Sequence, residues 1–138
     1  VKYYLKQIPQ PMFPQDDTTR VGCSLPLEIF GLNNIVMTSI NSSTGETTPG
    51  FYNGLLSCTN CDNPSFSPGL GTPAWIDYQI CGTQQASLVC GVYATCDTVR
   101  LYTLNKLQLS VIPNPAEFCE GDSVLLTATA IGGDGNYT

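Results

Sequence analysis

Short stretches of apolar and β-branched residues recur along the whole chain, separated by turn-forming residues. In residues 76–80 (IDYQI) and 107–111 (LQLSV), apolar side chains occupy every second position. Because successive side chains of a strand point to opposite faces, this spacing predicts strands with one apolar face and one wet face. No window of ten or more residues keeps a helical apolar period free of Pro or Gly, so long helices are not expected.

Eight segments have the composition of strands. They are Val1 to Leu5, Leu25 to Phe30, Ile35 to Ile40, Phe51 to Leu56, Trp75 to Cys81, Thr98 to Leu104, Leu107 to Ile112 and Val124 to Ala130. The residues between them are rich in Gly, Pro, Asn and Ser, which favour turns. This spacing predicts an all-β fold, an antiparallel β-sandwich.

Proline-rich stretches suggest where one module ends and the next begins. Residues 8–14 (IPQPMFP) form a stiff stretch that is predicted to be a linker or an irregular edge strand. A second boundary is expected near Asn105. The predicted organisation is therefore residues 1–14 as the end of a preceding module, a linker or a first strand, residues 15–105 as a complete sandwich, and residues 106–138 as the incomplete start of a second one.

The charge balance argues against two classes of partner. Five Lys and Arg residues stand against eleven Asp and Glu, and the five basic residues are scattered. Binding to nucleic acid, or to an anionic membrane surface, requires a clustered positive face. Neither partner is expected, and this window contains no apolar run long enough for a membrane span.

Seven cysteines in a chain without histidine indicate an oxidising compartment in which thiols are paired. All seven are disulfide candidates: Cys23, Cys58, Cys61, Cys81, Cys90, Cys96 and Cys119. A zinc site would have to use Cys58 and Cys61, but one CxxC pair needs a second ligand pair at suitable spacing. No metal is predicted.

The absence of histidine also weakens every enzymatic interpretation, because the usual general base is missing. The nearest acidic pairs are Asp16 with Asp17 and Glu120 with Asp122, and both lie where a linker or a cap is expected. They are interpreted as solvated carboxylates. No catalytic residue and no cofactor is therefore predicted.

The C-terminal part of the chain carries a recognisable motif. Residues 113–138 (PNPAEFCEGDSVLLTATAIGGDGNYT) consist of a Pro-rich lead, a C-E-G-D-S element, an alternating strand and a G-G-x-G-N-Y-T turn. This pattern resembles the opening of Ig-like or PKD-like repeats in large surface proteins of the Bacteroidota, including gliding-motility adhesins and other type IX secretion cargo. Residues 43–49, 63–81 and 96–104 are similar to later parts of such a repeat.

The resemblance carries expectations for individual residues. If Cys23 and Cys119 are equivalent, Cys23 is expected to pair with Cys96, and Cys119 with a partner beyond Thr138. Cys81 with Cys90 would then close the loop between them, and Cys58 with Cys61 would form a tight bridge or stay reduced.

Three D-(S/T)-x tripeptides resemble the O-glycosylation signal of this phylum. They place the modified hydroxyl at Thr18, Thr98 and Ser123. The alternative interpretation is structural, since Asp before Ser or Thr often accepts a hydrogen bond from nearby backbone at the start of a strand.

The function implied by the resemblance is structural and adhesive: a disulfide-stiffened spacer at the cell surface or in a secreted protein, with neighbouring repeats of the same chain as partners. One alternative is a subunit of an extracellular filament in which a neighbouring copy donates a strand. A second is an accessory carbohydrate-binding module that binds surface glycans through exposed Trp75, Tyr93, Tyr102 and the Phe51–Tyr52 pair, although aromatics in a small sandwich are more often core.

Overall fold

A computed structural model describes residues 10–87, 91–106 and 108–132 of the 138-residue chain. The fold is all-β, and a single 3-10 turn at Asn53–Leu55 is the only helical element in these ranges. The strands are β1 (Asp17–Arg20), β2 (Leu25–Pro26), β3 (Asn33–Ser42), β4 (Ser65–Phe66), β5 (Trp75–Ser87), β6 (Gly91–Leu104), β7 (Gln108–Ile112) and β8 (Thr127–Ile131).

The main sheet has four strands in the order β1-β6-β5-β3. The long strands β5 and β6 form an antiparallel hairpin, and β3 runs antiparallel to β5. Strand β1 is parallel to β6, with Asp17 opposite Leu101 and Arg20 opposite Leu104. The sheet is therefore mixed and not purely antiparallel as predicted.

A second, less regular layer faces this sheet. Strand β2 pairs with β4, and the pairing continues past their ends because the Leu27 and Ile29 N–H groups donate to the carbonyls of Pro64 and Asp62. An antiparallel bridge between Met12 and Phe30 extends the layer on one side. Leu56 is bridged to Phe66 on the other side.

The two layers enclose one apolar core. Strand β5 lies at its centre, with Ile76, Tyr78 and Ile80 fully buried, so the alternation predicted for residues 76–80 is confirmed. The remaining core side chains are Leu27, Ile29, Ile35, Met37, Leu56, Phe66, Val99 and Leu101. Gly82 lets the segment that enters β3 pass close to β5, because a Cβ there would lie 3.0 Å from the Cβ of Leu32.

A polar anchor fixes the loop beside β3. Ser39 lies at a register shift of the strand, and its buried hydroxyl accepts a hydrogen bond from the Tyr52 N–H at 2.9 Å. The Ser39 N–H donates to Asn53 Oδ1 at 2.9 Å, and its carbonyl accepts from the Gly50 N–H at 2.8 Å. These bonds turn residues 51–56 into a loop with a 3-10 turn, so the strand predicted at Phe51 to Leu56 is wrong.

Other predicted elements differ from the structure mainly in extent. The segments around residues 35–40, 75–81 and 98–104 are strands, but β5 and β6 extend well beyond them because they pair with each other as a hairpin. The segment at 25–30 is hydrogen-bonded to residues 62–66 along its length, but only Leu25–Pro26 is regular strand. Strands β1 and β4 were not predicted, and the segment at 1–5 lies outside the described residues.

Strands β7 and β8 form a separate two-stranded sheet. Leu109 and Val111 lie opposite Ala130 and Ala128, so these four side chains share one face. The apolar face predicted for this stretch exists, but it is not buried: Leu109 is 70% and Val111 37% exposed. Within the described ranges no second layer packs against it, and an isolated hairpin of this kind is marginally stable.

Tyr78 provides a test of the core. Its hydroxyl donates to the Tyr52 carbonyl at 2.8 Å, and burial first, then the neighbouring Tyr52, raises the pKa of Tyr78 above its ordinary value of 10.0. Since the unfolded phenol ionises near pH 10.0 and the folded one only at higher pH, this stabilisation is complete below pH 10.0 and is lost progressively as the pH rises from there toward the higher pKa of the folded phenol. Urea unfolding should show stability falling above that pH.

The variant Tyr78→Phe should lower the free energy of unfolding at pH 7 by about 1 kcal/mol, because the Tyr52 carbonyl loses its donor. It should also flatten the alkaline decline. The half-exposed control Tyr102→Phe should keep the decline of the native protein. If the free energy of unfolding declined equally at alkaline pH in the native protein and in Tyr78→Phe, this assignment would be contradicted.

Candidate functional site: the outer face of the four-stranded sheet

The face of the main sheet that points away from the core is polar and aromatic. Opposite residues of an antiparallel pair share a face, so the residues that alternate with the core positions of β5 meet their partners from β6 on the outside. The resulting pairs are Trp75 with Tyr102, Asp77 with Arg100, Gln79 with Thr98 and Cys81 with Cys96. This face therefore brings together two aromatic rings, an ion pair and a disulfide.

Arg100 is the centre of this face. Its guanidinium forms two hydrogen bonds to the Asp77 carboxylate, at 2.7 and 2.9 Å, and its Cζ lies 3.9 Å from the centroid of the Trp75 ring. Hydrogen bonding to Asp77 raises the pKa of Arg100 above its ordinary value. A planar guanidinium satisfies the carboxylate and the aromatic ring at the same time, which lysine does not do.

Sequence reasoning missed this arrangement. A signal was present, because Asp77 and Arg100 occupy outward positions of two predicted strands, but their register was needed to place them opposite each other. Asp77 is largely buried while Arg100 remains half-exposed. Arg100 therefore neutralises the Asp77 carboxylate. The same guanidinium covers one face of the Trp75 ring, so that face is not available to a ligand.

The aromatic residues considered for sugar binding do not form one platform. Trp75 is half-buried under Arg100, and Tyr102 lies beside it. Tyr93 is nine residues along β6 from Tyr102, about 30 Å away by strand geometry, and its hydroxyl donates to the Gln84 side chain. Phe51 contacts Tyr52 edge-to-face in the loop beside β3. Carbohydrate binding through all of these rings together would therefore need a surface that the described residues do not form.

A disulfide joins Cys81 and Cys96 across the two central strands. The residues are register partners with Cα atoms 4.1 Å apart, which is the close spacing of a pair without ladder hydrogen bonds. The expected pairing of Cys23 with Cys96 is wrong, because Cys96 is already bonded and Cys23 is a free, exposed thiol. The pairing of Cys81 with Cys90 is likewise wrong, and Cys90 itself lies outside the described residues.

The second disulfide joins Cys58 and Cys61, which is one of the two states expected for this pair. Between them, the carbonyl of Thr59 accepts a hydrogen bond from the Met37 N–H at 2.7 Å. This bond covers part of the outer edge of β3. The loop thus protects an edge strand, and the close spacing of the two cysteines has a structural reason. Cys119 is a free, exposed thiol.

All three candidate hydroxyls for glycosylation are exposed: Thr18 in β1, Thr98 in β6 and Ser123 before β8. Asp17 accepts a hydrogen bond from the Thr18 N–H at 2.6 Å, and Asp97 accepts one from the Thr98 N–H at 2.8 Å. The structural role weighed for these Asp residues is therefore real at two of the sites.

Two open clefts lie on the surface of the described residues. One, of about 570 Å³, is lined by Pro11, Phe13, Asp16 and Asp97 among others, and the second, of about 600 Å³, lies beside the Cys58–Cys61 loop. Asp16 accepts a hydrogen bond from the Arg100 N–H at 2.7 Å. This carboxylate therefore pairs with the outward backbone N–H of β6 that lies next to the stretch covered by β1. In the described part of the chain, no three His, Cys, Asp or Glu side chains are grouped to hold a metal ion.

The comparisons with known proteins add no relative. No family model matches the chain, and no curated protein or solved structure matches it. None of the helical residues described is part of a helix long and apolar enough to cross a membrane. The function is therefore inferred from the residues and the geometry of this chain.

The Cys81–Cys96 bond gives a prediction for stability. Replacing both residues by Ala should lower the free energy of unfolding by about 3 kcal/mol, because the bond closes a loop with a sequence separation of 15. Replacing Cys58 and Cys61, separated by 3, is the matched control and should cost less. Denaturant unfolding and non-reducing peptide mapping are the measurements. Peptides linking Cys23 to Cys96 would contradict the assignment.

Proposed function

We propose that this chain is part of a secreted or cell-surface protein built from tandem Ig-like modules, in which residues 15–105 form one rigid, non-enzymatic spacer and residues from 106 onward begin the next module. The observation that carries the proposal is the Cys81–Cys96 disulfide at the centre of an all-β body. Such bonds persist in oxidising compartments outside the cytosol. The similarity of residues 113–138 to the surface-protein repeats supports the same assignment.

The topology supports an Ig-like module. In an Ig sandwich, one sheet contains the last two strands of the fold and an earlier middle strand, and the opposite sheet contains the strands around them. Here β3, β5 and β6 form the first group. The ladder around β2 and β4, with Met12 and Leu56 at its sides, corresponds to the second group.

A spacer needs stiffness along its length more than a binding pocket. The long β5–β6 hairpin, cross-linked near its middle and packed against the core along half its length, supplies that stiffness. The exposed hydroxyls of Thr18, Thr98 and Ser123 accept a glycan without repacking the core, which is consistent with a surface-exposed glycoprotein. Adhesion itself is assigned to the protein as a whole and not to this module.

The spacer role is tested by exchanging the module in the parent protein. Deleting residues 15–105 should leave surface display intact, measured by protease shaving of whole cells, and should weaken attachment under flow. An unrelated sandwich module of the same length should restore attachment, because a spacer acts through its length and stiffness. Failure of the exchange to restore attachment would indicate a binding role, and recovery of the protein only from the cytosol with free Cys81 and Cys96 would overturn the proposal.

One observation favours the filament alternative. The β7–β8 sheet has an exposed apolar face and unpaired edges within the described residues, which is the form expected of a donated strand pair. A filament predicts assemblies that grow with concentration beyond a dimer, and Leu109→Lys should abolish them by placing a charge on that face. Light scattering distinguishes the two cases, since a spacer module shows no such growth.

A further inference from the structure

Among the described residues, one edge of the main sheet has no strand paired to it over more than half its length. Strand β1 covers β6 only from Leu101 to Leu104. The Thr103 N–H donates toward β5, to the carbonyl of Ala74, whereas the Arg100 N–H points the other way and is bound by Asp16. Since the β5–β6 register has no shift between residues 92 and 102, the even-numbered residues of β6 direct their N–H and carbonyl groups away from β5.

Three of the described residues therefore present unpaired backbone groups at this edge: Val92, Ala94 and Cys96. At the next outward position, the Thr98 N–H is already bonded by Asp97. Among the described residues, none pairs with them on that side. Their surroundings are open as well, because Val92 is 62% exposed and the cleft of about 570 Å³ begins at Asp97 and Thr98.

The composition of this edge favours pairing. Residues 91–99 (GVYATCDTV) are β-branched or small apart from one Tyr and one Asp, and they include no Lys, Arg or Pro. Natural edge strands are usually blocked by such residues or covered by a loop. The opposite edge of the same sheet is covered in this way, because Met37 and Ser39 of β3 are bonded by the neighbouring loops. Within the part of the chain that the structure describes, the β3 edge is thus covered and the β6 edge between Val92 and Cys96 is not.

We propose that the open edge of β6 pairs antiparallel with the same edge of a second copy of this chain, about a two-fold axis at Ala94. In this register Val92 lies opposite Cys96 of the other copy, so donors meet acceptors on both sides and about six backbone hydrogen bonds form. The small Ala94 side chain fits at the axis. Each Asp97 lies opposite Gly91, so the carboxylates of the two copies do not face each other.

The disulfide contributes to this surface. Cys81 and Cys96 join the two strands of the hairpin within the open stretch, where β5 is the one described strand that pairs with β6. The cross-link holds the edge extended before pairing, which lowers the ordering cost of adding a strand. The proposal concerns association of copies and is independent of the spacer function proposed above.

The test compares two matched substitutions by sedimentation of the full chain, with the exposed thiols of Cys23 and Cys119 alkylated first. Val92→Lys puts a charge on the open edge, and Val36→Lys makes the same change at a 53% exposed position on the covered edge. Ala94→Pro removes the donor at the axis without disturbing the β5 ladder. Circular dichroism confirms that each variant is folded.

The native chain should rise from 14.8 kDa toward twice that mass between about 10 µM and about 1 mM, the range of a small transient interface. Val92→Lys and Ala94→Pro should stay monomeric, while Val36→Lys and Leu109→Lys should dimerise as the native chain does. A native chain that stays monomeric throughout would overturn the proposal. Loss of association in Leu109→Lys with retention in Val92→Lys would assign the contact to the β7–β8 sheet instead.

Discussion

The burial of one face of β5 is the constraint on which the rest of the module depends. Ile76, Tyr78 and Ile80 are fully buried, and β5 is the strand of the main sheet with long neighbours on both sides. Burying Tyr78 requires a partner for its hydroxyl, and the Tyr52 carbonyl supplies it at 2.8 Å. The position of the loop beside β3 therefore follows from the core, and the Ser39 anchor fixes that loop from the other side.

The outer face of the same strand obeys a different requirement. There a half-exposed aromatic ring, a largely buried carboxylate and a disulfide cysteine follow one another along β5, and each contacts a residue of β6. Arg100 serves both Asp77 and Trp75, because a guanidinium bonds in its plane and stacks on its face. Chemical groups that suggest a binding surface in the sequence are thereby used to hold two strands together.

The two edges of the main sheet differ in how far they are covered by other parts of the chain. The edge of β3 is covered by the Cys58–Cys61 loop and by the loop around Asn53. Among the described residues, the edge of β6 is covered by β1 and, at Arg100, by Asp16, but not between Val92 and Cys96. The protein thus places its small disulfide loop at a position where unpaired backbone would otherwise invite another strand. The same reasoning makes the uncovered part of β6 a surface for association.

The sequence by itself determined the all-β class and the buried face of β5, since these depend on composition and on a period of two along one strand. The cysteine count also predicted disulfides, and the structure contains two. It did not reveal the parallel strand β1, the loop at residues 51–56 or the partner of Cys96. Apolar residues such as Phe51 and Leu55 suit a strand, but hydrogen bonds from Ser39, distant in sequence, turn them into a loop. Cysteine pairing and the Asp77–Arg100 contact depend on the register of β5 against β6, and register is a property of the assembled sheet.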